Sequence, residues 1–165
     1  MPNIIFIGMP ASGKSTIGVV VAKRLGLDFV DTDLLIQKQE GQLLKDIIKE
    51  KGNEGFLTIE NQVNRDLVAE NAVISPGGSV IYCEEAMAHF KEIGTIVYLK
   101  TSYEIIRNRI ENAKNRGVVL KEGQSLKDLY DERAKLFEKY ADHTISEEGS
   151  TLEETIDKVL ALFEK

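Results

Sequence analysis

Residues 8–15 read G-M-P-A-S-G-K-S, entered directly from the apolar run Asn3–Ile7 and left through "KSTIGVVVAKRL". This stretch fits G-x-x-x-x-G-K-[ST] at every fixed position, with a strand pattern before it and a helical pattern after it. Few short patterns constrain a chain so tightly. Gly8 and Gly13 let successive peptide N–H groups converge on phosphate oxygens, and the helix that follows adds unpaired N–H groups and a positive dipole end. Lys14 is then expected to reach the β- and γ-phosphates of a nucleotide. The Ser15 hydroxyl is expected on Mg²⁺, and Ala11, Ser12 and Thr16 complete the cradle. The pattern alone admits kinases, ATPases, GTPases and nucleotide binders without chemistry. The chain has no N-K-x-D tetrapeptide for reading guanine, and no long apolar strand ending in Asp of the kind motor ATPases carry. A small kinase acting on a separate acceptor fits better.

The rest of the chain supplies the sheet such a loop needs. "NIIFI", "DFVD", "AVIS", "TIVYL" and "HTIS" read as five short strands, each followed by a segment of helical spacing. That alternation predicts an α/β fold, a parallel sheet covered by helices on both faces. The last helix is the clearest: Thr151 and Glu154 stand at capping-box spacing, and Leu152, Ile156, Val159, Leu160 and Phe163 form one apolar stripe, expected to be core. Residues 112–124, "NAKNRGVVLKEGQ", break the rhythm and read as a mobile segment or a solvated linker.

At 165 residues the chain is the size of one domain, expected to bury roughly 70% of its unfolded surface. Its net charge of −6, with both signs interspersed, disfavours nucleic acid as a partner. The apolar N-terminal run is too short for a membrane span or a signal peptide, so the expected location is cytoplasmic. Cys83 is the single cysteine, which excludes an internal disulfide and suits a small apolar filler.

Acceptor chemistry is expected beyond the carboxyl ends of the strands. "VDTD" puts Asp31 and Asp33 there, two residues apart and on one side if the strand continues. One carboxylate can serve Mg²⁺ while the other orients or deprotonates an attacking hydroxyl. Both can equally cap the following helix.

With "GMPASGKST", "DTD", "GFLTIE", "SPGGSV", "VYL", "NRGVVL" and "ERAKLFEKYAD" in view, the chain resembles the shikimate kinase family over nearly its whole length. The resemblance implies a single three-layer α/β/α P-loop domain with a five-stranded parallel sheet in the order 2-3-1-4-5. It also implies a helical acceptor subdomain at about 34–68, a lid at about 112–124, ATP as phosphate donor, and a monomer. Residue by residue, Asp33 resembles the acceptor-binding carboxylate and candidate base, and Asp31 the metal-shell carboxylate. Arg116 resembles the lid arginine that neutralises charge on the transferring phosphoryl group, and Arg109 the arginine that stacks on adenine. Outside the resemblance both arginines read as solvated charges. Arg133 resembles an arginine that binds the acceptor carboxylate, in a pattern with Tyr where Phe137 stands; a helix salt bridge is its other reading. Gly77 and Gly78 match two glycines of a G-G-G loop with Ser79 in place of the third, or form a plain turn.

One departure matters most. The family pattern Phe-Arg-x-x-Glu reads "FLTIE" here, with Phe56 and Glu60 kept and Leu57 where a carboxylate-clamping arginine is expected. Leucine supplies none of that bidentate contact. Lys49 or Lys51 could substitute, with Arg133, to hold shikimate. Otherwise the acceptor is a different small hydroxy acid, amino alcohol or sugar, or the chain binds nucleotide without transferring phosphate.

Overall fold

The computed structural model describes residues 2–112 and 123–164. Five strands, β1 (Asn3–Ile7), β2 (Asp28–Asp31), β3 (Ala72–Ser75), β4 (Gly94–Lys100) and β5 (His143–Ser146), form one sheet in the order β2-β3-β1-β4-β5. Every neighbouring pair is parallel. β1 lies at the centre, pairing Ile4 with Val73 on one side and with Thr95 on the other.

The alternation of β1 builds both layers. Ile5 and Ile7 face a cluster with Met87 and Phe90 of α4 (Glu84–Ile93), Ile106 of α5 (Tyr103–Asn112), and Leu129 and Phe137 of α6 (Leu126–Tyr140). Ile4 and Phe6 face the opposite cluster, with Ile17 and Val21 of α1 (Lys14–Leu25) and Ile156, Val159 and Leu160 of α7 (Leu152–Phe163). A strand covered on both faces has no polar side to show, which is why "IIFI" reads as an unbroken apolar run. The Thr151–Glu154 capping box on α7 forms as expected. The stripe behind it is core except at its first member: Leu152 is 50% exposed and faces the cavity described below.

Two further helices, α2 (Thr32–Glu40) and α3 (Leu44–Arg65), carry a small cluster of their own, Ile36, Ile47 and Phe56. α3 breaks at Gly52, whose φ of 73° and ψ of 177° leave the helical region. A side chain rarely tolerates that φ, so the break between the two helical runs falls on glycine. Among the described residues no helix is long and apolar enough to cross a membrane. The segment expected to form a lid falls almost wholly on residues 113–122, outside the described residues.

Candidate active site

The carboxyl ends of the strands open into one cavity of about 780 Å³. Its floor at one end is the glycine-rich loop. Ala11 takes φ 67° and Gly13 φ 92°, left-handed conformations in which an L side chain is normally strained. Lys14 is 7% exposed, and its Nζ donates to the Gly8 carbonyl at 2.9 Å, the Met9 carbonyl at 2.8 Å and Ser12 Oγ at 3.5 Å. Gly8 and Ser12 therefore shape the loop from behind, while Ala11, Gly13, Lys14, Ser15 and Thr16 line the cavity. Arg109 of α5 crosses to the same end, where its Nη1 donates to the Ala11 carbonyl at 2.8 Å.

The two aspartates reach the site by a different route from the one their spacing suggests. β2 stops at Asp31, which becomes the N-cap of α2: its Oδ1 accepts from the N–H groups of Asp33 at 3.0 Å and Leu34 at 3.3 Å. A capping carboxylate satisfies donors that the helix start would leave unpaired, and it ends the strand alternation on which a shared side depended. Asp33 enters instead from the first turn of α2 and lines the cavity. Asp31 keeps its second oxygen for the loop, with Oδ2 accepting from Ser15 Oγ at 3.4 Å and Ser75 Oγ also 3.4 Å from that hydroxyl. Capping and metal service are thus compatible in one side chain. Ser15 and Asp31 offer hard oxygen donors, and among the described residues no group of three or more His, Cys, Asp or Glu side chains could hold a metal alone. That set fits Mg²⁺, which keeps several waters and takes its remaining ligands from phosphates.

At the other end stand Asp33, Phe56, Glu60, Gly77, Gly78, Ser79 and Arg133. The two glycines serve different neighbours. A Cβ on Gly77 would lie 2.7 Å from Asp33 Oδ1 and 3.0 Å from Glu60 Oε2, whereas one on Gly78 would strike Pro10 at 2.6 Å. Each position is kept bare by a close approach, so "SPGGS" is more than a turn. Ser79 faces inward, its hydroxyl donating to Glu60 Oε1 at 2.5 Å. Arg133, 1% exposed, lies with its guanidinium carbon 5.4 Å from the centre of the Tyr82 ring, and Tyr82 in turn donates to Glu132. Burial pulls the guanidinium below its ordinary value, with Tyr82, Glu60 and Glu132 opposing.

Two expectations need correction. Leu57 does not line the cavity; its side chain packs against the core on the α4 side of the sheet, and its carbonyl accepts from the buried Cys83 thiol at 3.6 Å. An apolar side chain gains by turning toward that core, so residue 57 leaves the acceptor end rather than filling it. The lysines do not replace the missing cation either: Lys51 pairs with Glu40 at 3.1 Å, Lys49 is exposed, and neither lines the cavity. Arg116 lies outside the described residues. Cys83 behaves as the filler its isolation suggests, and burial pushes its thiol up.

Two carboxylates were missed as site residues. Glu60 was noted only as part of a pattern, though it lines the cavity at 0% exposure. Glu147 follows β5 directly and also lines the cavity; burial raises its carboxyl, against the Thr101 hydroxyl that donates to it and the charges of Arg109 and Lys14. Its place just past a strand end was the available signal.

Comparison with known proteins agrees with this geometry. A family model described as shikimate kinase matches residues 10–164. A shikimate kinase of Persephonella marina is 37% identical over 161 residues, covering 97% of this chain and 98% of that protein. One of Aquifex aeolicus is 35% identical, covering 98% and 96%. Among solved structures, a shikimate kinase from Acinetobacter baumannii in complex with shikimate superposes with a TM-score of 0.89 at 32% identity, covering 98% of this chain and 92% of that one. The crystal structure of the Aquifex aeolicus enzyme gives 0.83 at 34% identity, covering 98% and 96%.

Proposed function

This chain belongs to the shikimate kinase family, ATP-dependent kinases that act on a hydroxyl group, and from that premise we propose that it transfers the γ-phosphoryl group of MgATP to a ring hydroxyl of shikimate. The observation that carries the reading is the continuity of one cavity, from the phosphate loop at Gly13–Thr16 to Asp33, Gly77 and Arg133. A donor phosphate and an acceptor hydroxyl meeting in that space need little covalent help from the protein, since phosphoryl transfer is governed by positioning and charge.

Lys14 leaves the loop carbonyls for the phosphates when nucleotide enters, exchanging two neutral acceptors for charged ones. Asp33 takes the acceptor hydroxyl, orients it and receives its proton. Arg133 meets the acceptor carboxylate. Arg109 lies against the adenine, and Arg116 neutralises the moving phosphoryl group. Ser15 and Asp31 would hold Mg²⁺, which when bound offsets charge on the β- and γ-phosphate oxygens.

A second reading has its own support. With Leu57 turned into the core, Arg133 is the single guanidinium lining the acceptor end among the described residues, and an acceptor with less negative charge would need no more. Steady-state turnover with MgATP, comparing shikimate with other hydroxy acids, amino alcohols and sugars, separates the two. A shikimate KM below the millimolar range and no better acceptor supports the first. A tens-of-millimolar KM beside a superior acceptor establishes the second.

A further inference from the structure

Glu60 is a fully buried carboxyl with an unusual set of neighbours. Oε1 accepts one hydrogen bond, from the neutral Ser79 hydroxyl, and Oε2 is buried with no hydrogen-bond partner among the described residues. No ion pair within 4 Å engages it among the described residues. Asp33 Oδ1 and Glu60 Oε2 both lie within 3.0 Å of one point above Gly77, so the same corner of the cavity holds two carboxyl groups. An ionised carboxylate without a charged partner is costly in such a place, and two beside each other more so.

We propose that Glu60 sets the anion specificity of the acceptor end: as a neutral acid it leaves the charge of Arg133 to a carboxylate on the acceptor, and as a carboxylate it claims that charge and closes the site to anions. This rests on the reading of the acceptor as a carboxylate-bearing alcohol. Four elements bring charged or titratable groups toward Glu60: Asp33 from α2, Lys14 from α1, Arg133 from α6, and Cys83 beside α4. Burial pushes the Glu60 carboxyl up to about 8, and the charge of Asp33 acts in the same direction, against the Ser79 hydroxyl, Arg133 and Lys14. Glu60 is therefore protonated at neutral pH and ionises within the working range of an enzyme assay. Since Glu60 is not required to touch the acceptor, it is a specificity-determining residue and not a catalytic one.

The test compares the parent with Glu60→Gln, whose amide oxygen can still accept from Ser79 and whose side chain never ionises. Infrared difference spectra of the ligand-free proteins between pH 6 and 10 should show, in the parent alone, a protonated-carboxyl band lost with a midpoint near 8. In MgATP-saturated turnover, the parent's KM for shikimate should rise about 30-fold between pH 7 and 9.5, as expected for binding tied to one proton with that midpoint. The KM of Glu60→Gln, whatever its value at pH 7, should stay flat over the same range. A parent without that band, or KM rising equally in both proteins, overturns the proposal. If Glu60→Gln fails to fold, Glu60→Ala serves the same comparison. Failure to phosphorylate shikimate at any pH sinks the acceptor reading instead, and the infrared arm then decides whether Glu60 holds its proton.

Discussion

At the nucleotide end of the cavity, six lining residues come from the seven-residue run 10–16, and peptide groups do most of the shaping. At the acceptor end, Asp33 comes from α2, Glu60 from α3, Gly77 to Ser79 from the loop after β3, and Arg133 from α6. The first end is a local device and the second a meeting of distant side chains. A backbone cradle tolerates little sequence change because its geometry is its chemistry. A side-chain pocket depends instead on how distant elements pack, and Leu57, on the same helix as Glu60, turns to the core rather than to the cavity.

The largest expected effect lies at the local end. Replacing Lys14 by Met should leave the fold intact and lower kcat by at least two to three powers of ten, about 3 to 4 kcal/mol in the barrier. Single-turnover transfer to shikimate measures it, and near-parent rates would remove Lys14 from the mechanism.

Next comes the junction of the two ends. Gly77→Ala places a methyl group against Asp33 and Glu60, and Asp33 must yield. Displacing Asp33 should lower kcat about 10- to 100-fold with the dissociation constant for MgATP unchanged, because Gly78 and not Gly77 backs the phosphate loop. Calorimetry with a non-hydrolysable nucleotide checks the second half. Loss of nucleotide binding would mean that the two ends are one mechanical unit.

The same contrast explains what the sequence made legible. The strands themselves, the phosphate loop and the α7 cap depend on neighbours within a few residues, and each appears where the pattern placed it, whereas the strand order joins segments as far apart as Ile4 and Thr95 and was available only through the family resemblance. Asp31 as a helix cap was visible too, as one of two readings, because capping is local. The direction of Leu57 was not, since it depends on whether the α4 side of the sheet or the cavity offers more apolar contact across 20 or more residues of chain. Glu60 was hidden for a related reason: a glutamate on a helix reads as a surface charge until Ser79, Asp33 and Arg133 are brought around it.

A smaller effect follows from that burial. A carboxyl raised from its ordinary value of 4.5 to about 8 binds its proton more tightly folded than unfolded. Its contribution to stability is fully present below pH 4.5 and is lost as pH rises through 8. Between pH 6 and 9 the parent's Tm should fall several degrees further than that of Glu60→Gln, which has no such proton to lose. Parallel Tm curves would mean that Glu60 is ionised in the folded protein already.

The smallest expected change is the most diagnostic of the acceptor end. Residues 57 and 60 stand one turn apart on α3, close enough for an introduced guanidinium at 57 to reach the Glu60 carboxylate. Leu57→Arg forfeits apolar contact with the core on the α4 side, at a cost of about 1 to 2 kcal/mol, and gives Glu60 the charged partner it lacks. Glu60 should then ionise well below neutrality, the shikimate KM should lose its rise above pH 8, and its value at pH 7 should fall a few-fold as a second cation faces the acceptor. A KM that falls while keeping its pH dependence would place the new guanidinium on the acceptor but out of reach of Glu60. A variant indistinguishable from the parent would mean that position 57 belongs to the core whatever side chain it carries, and that Arg133 and Glu60 alone define how this chain tells an anionic acceptor from a neutral one.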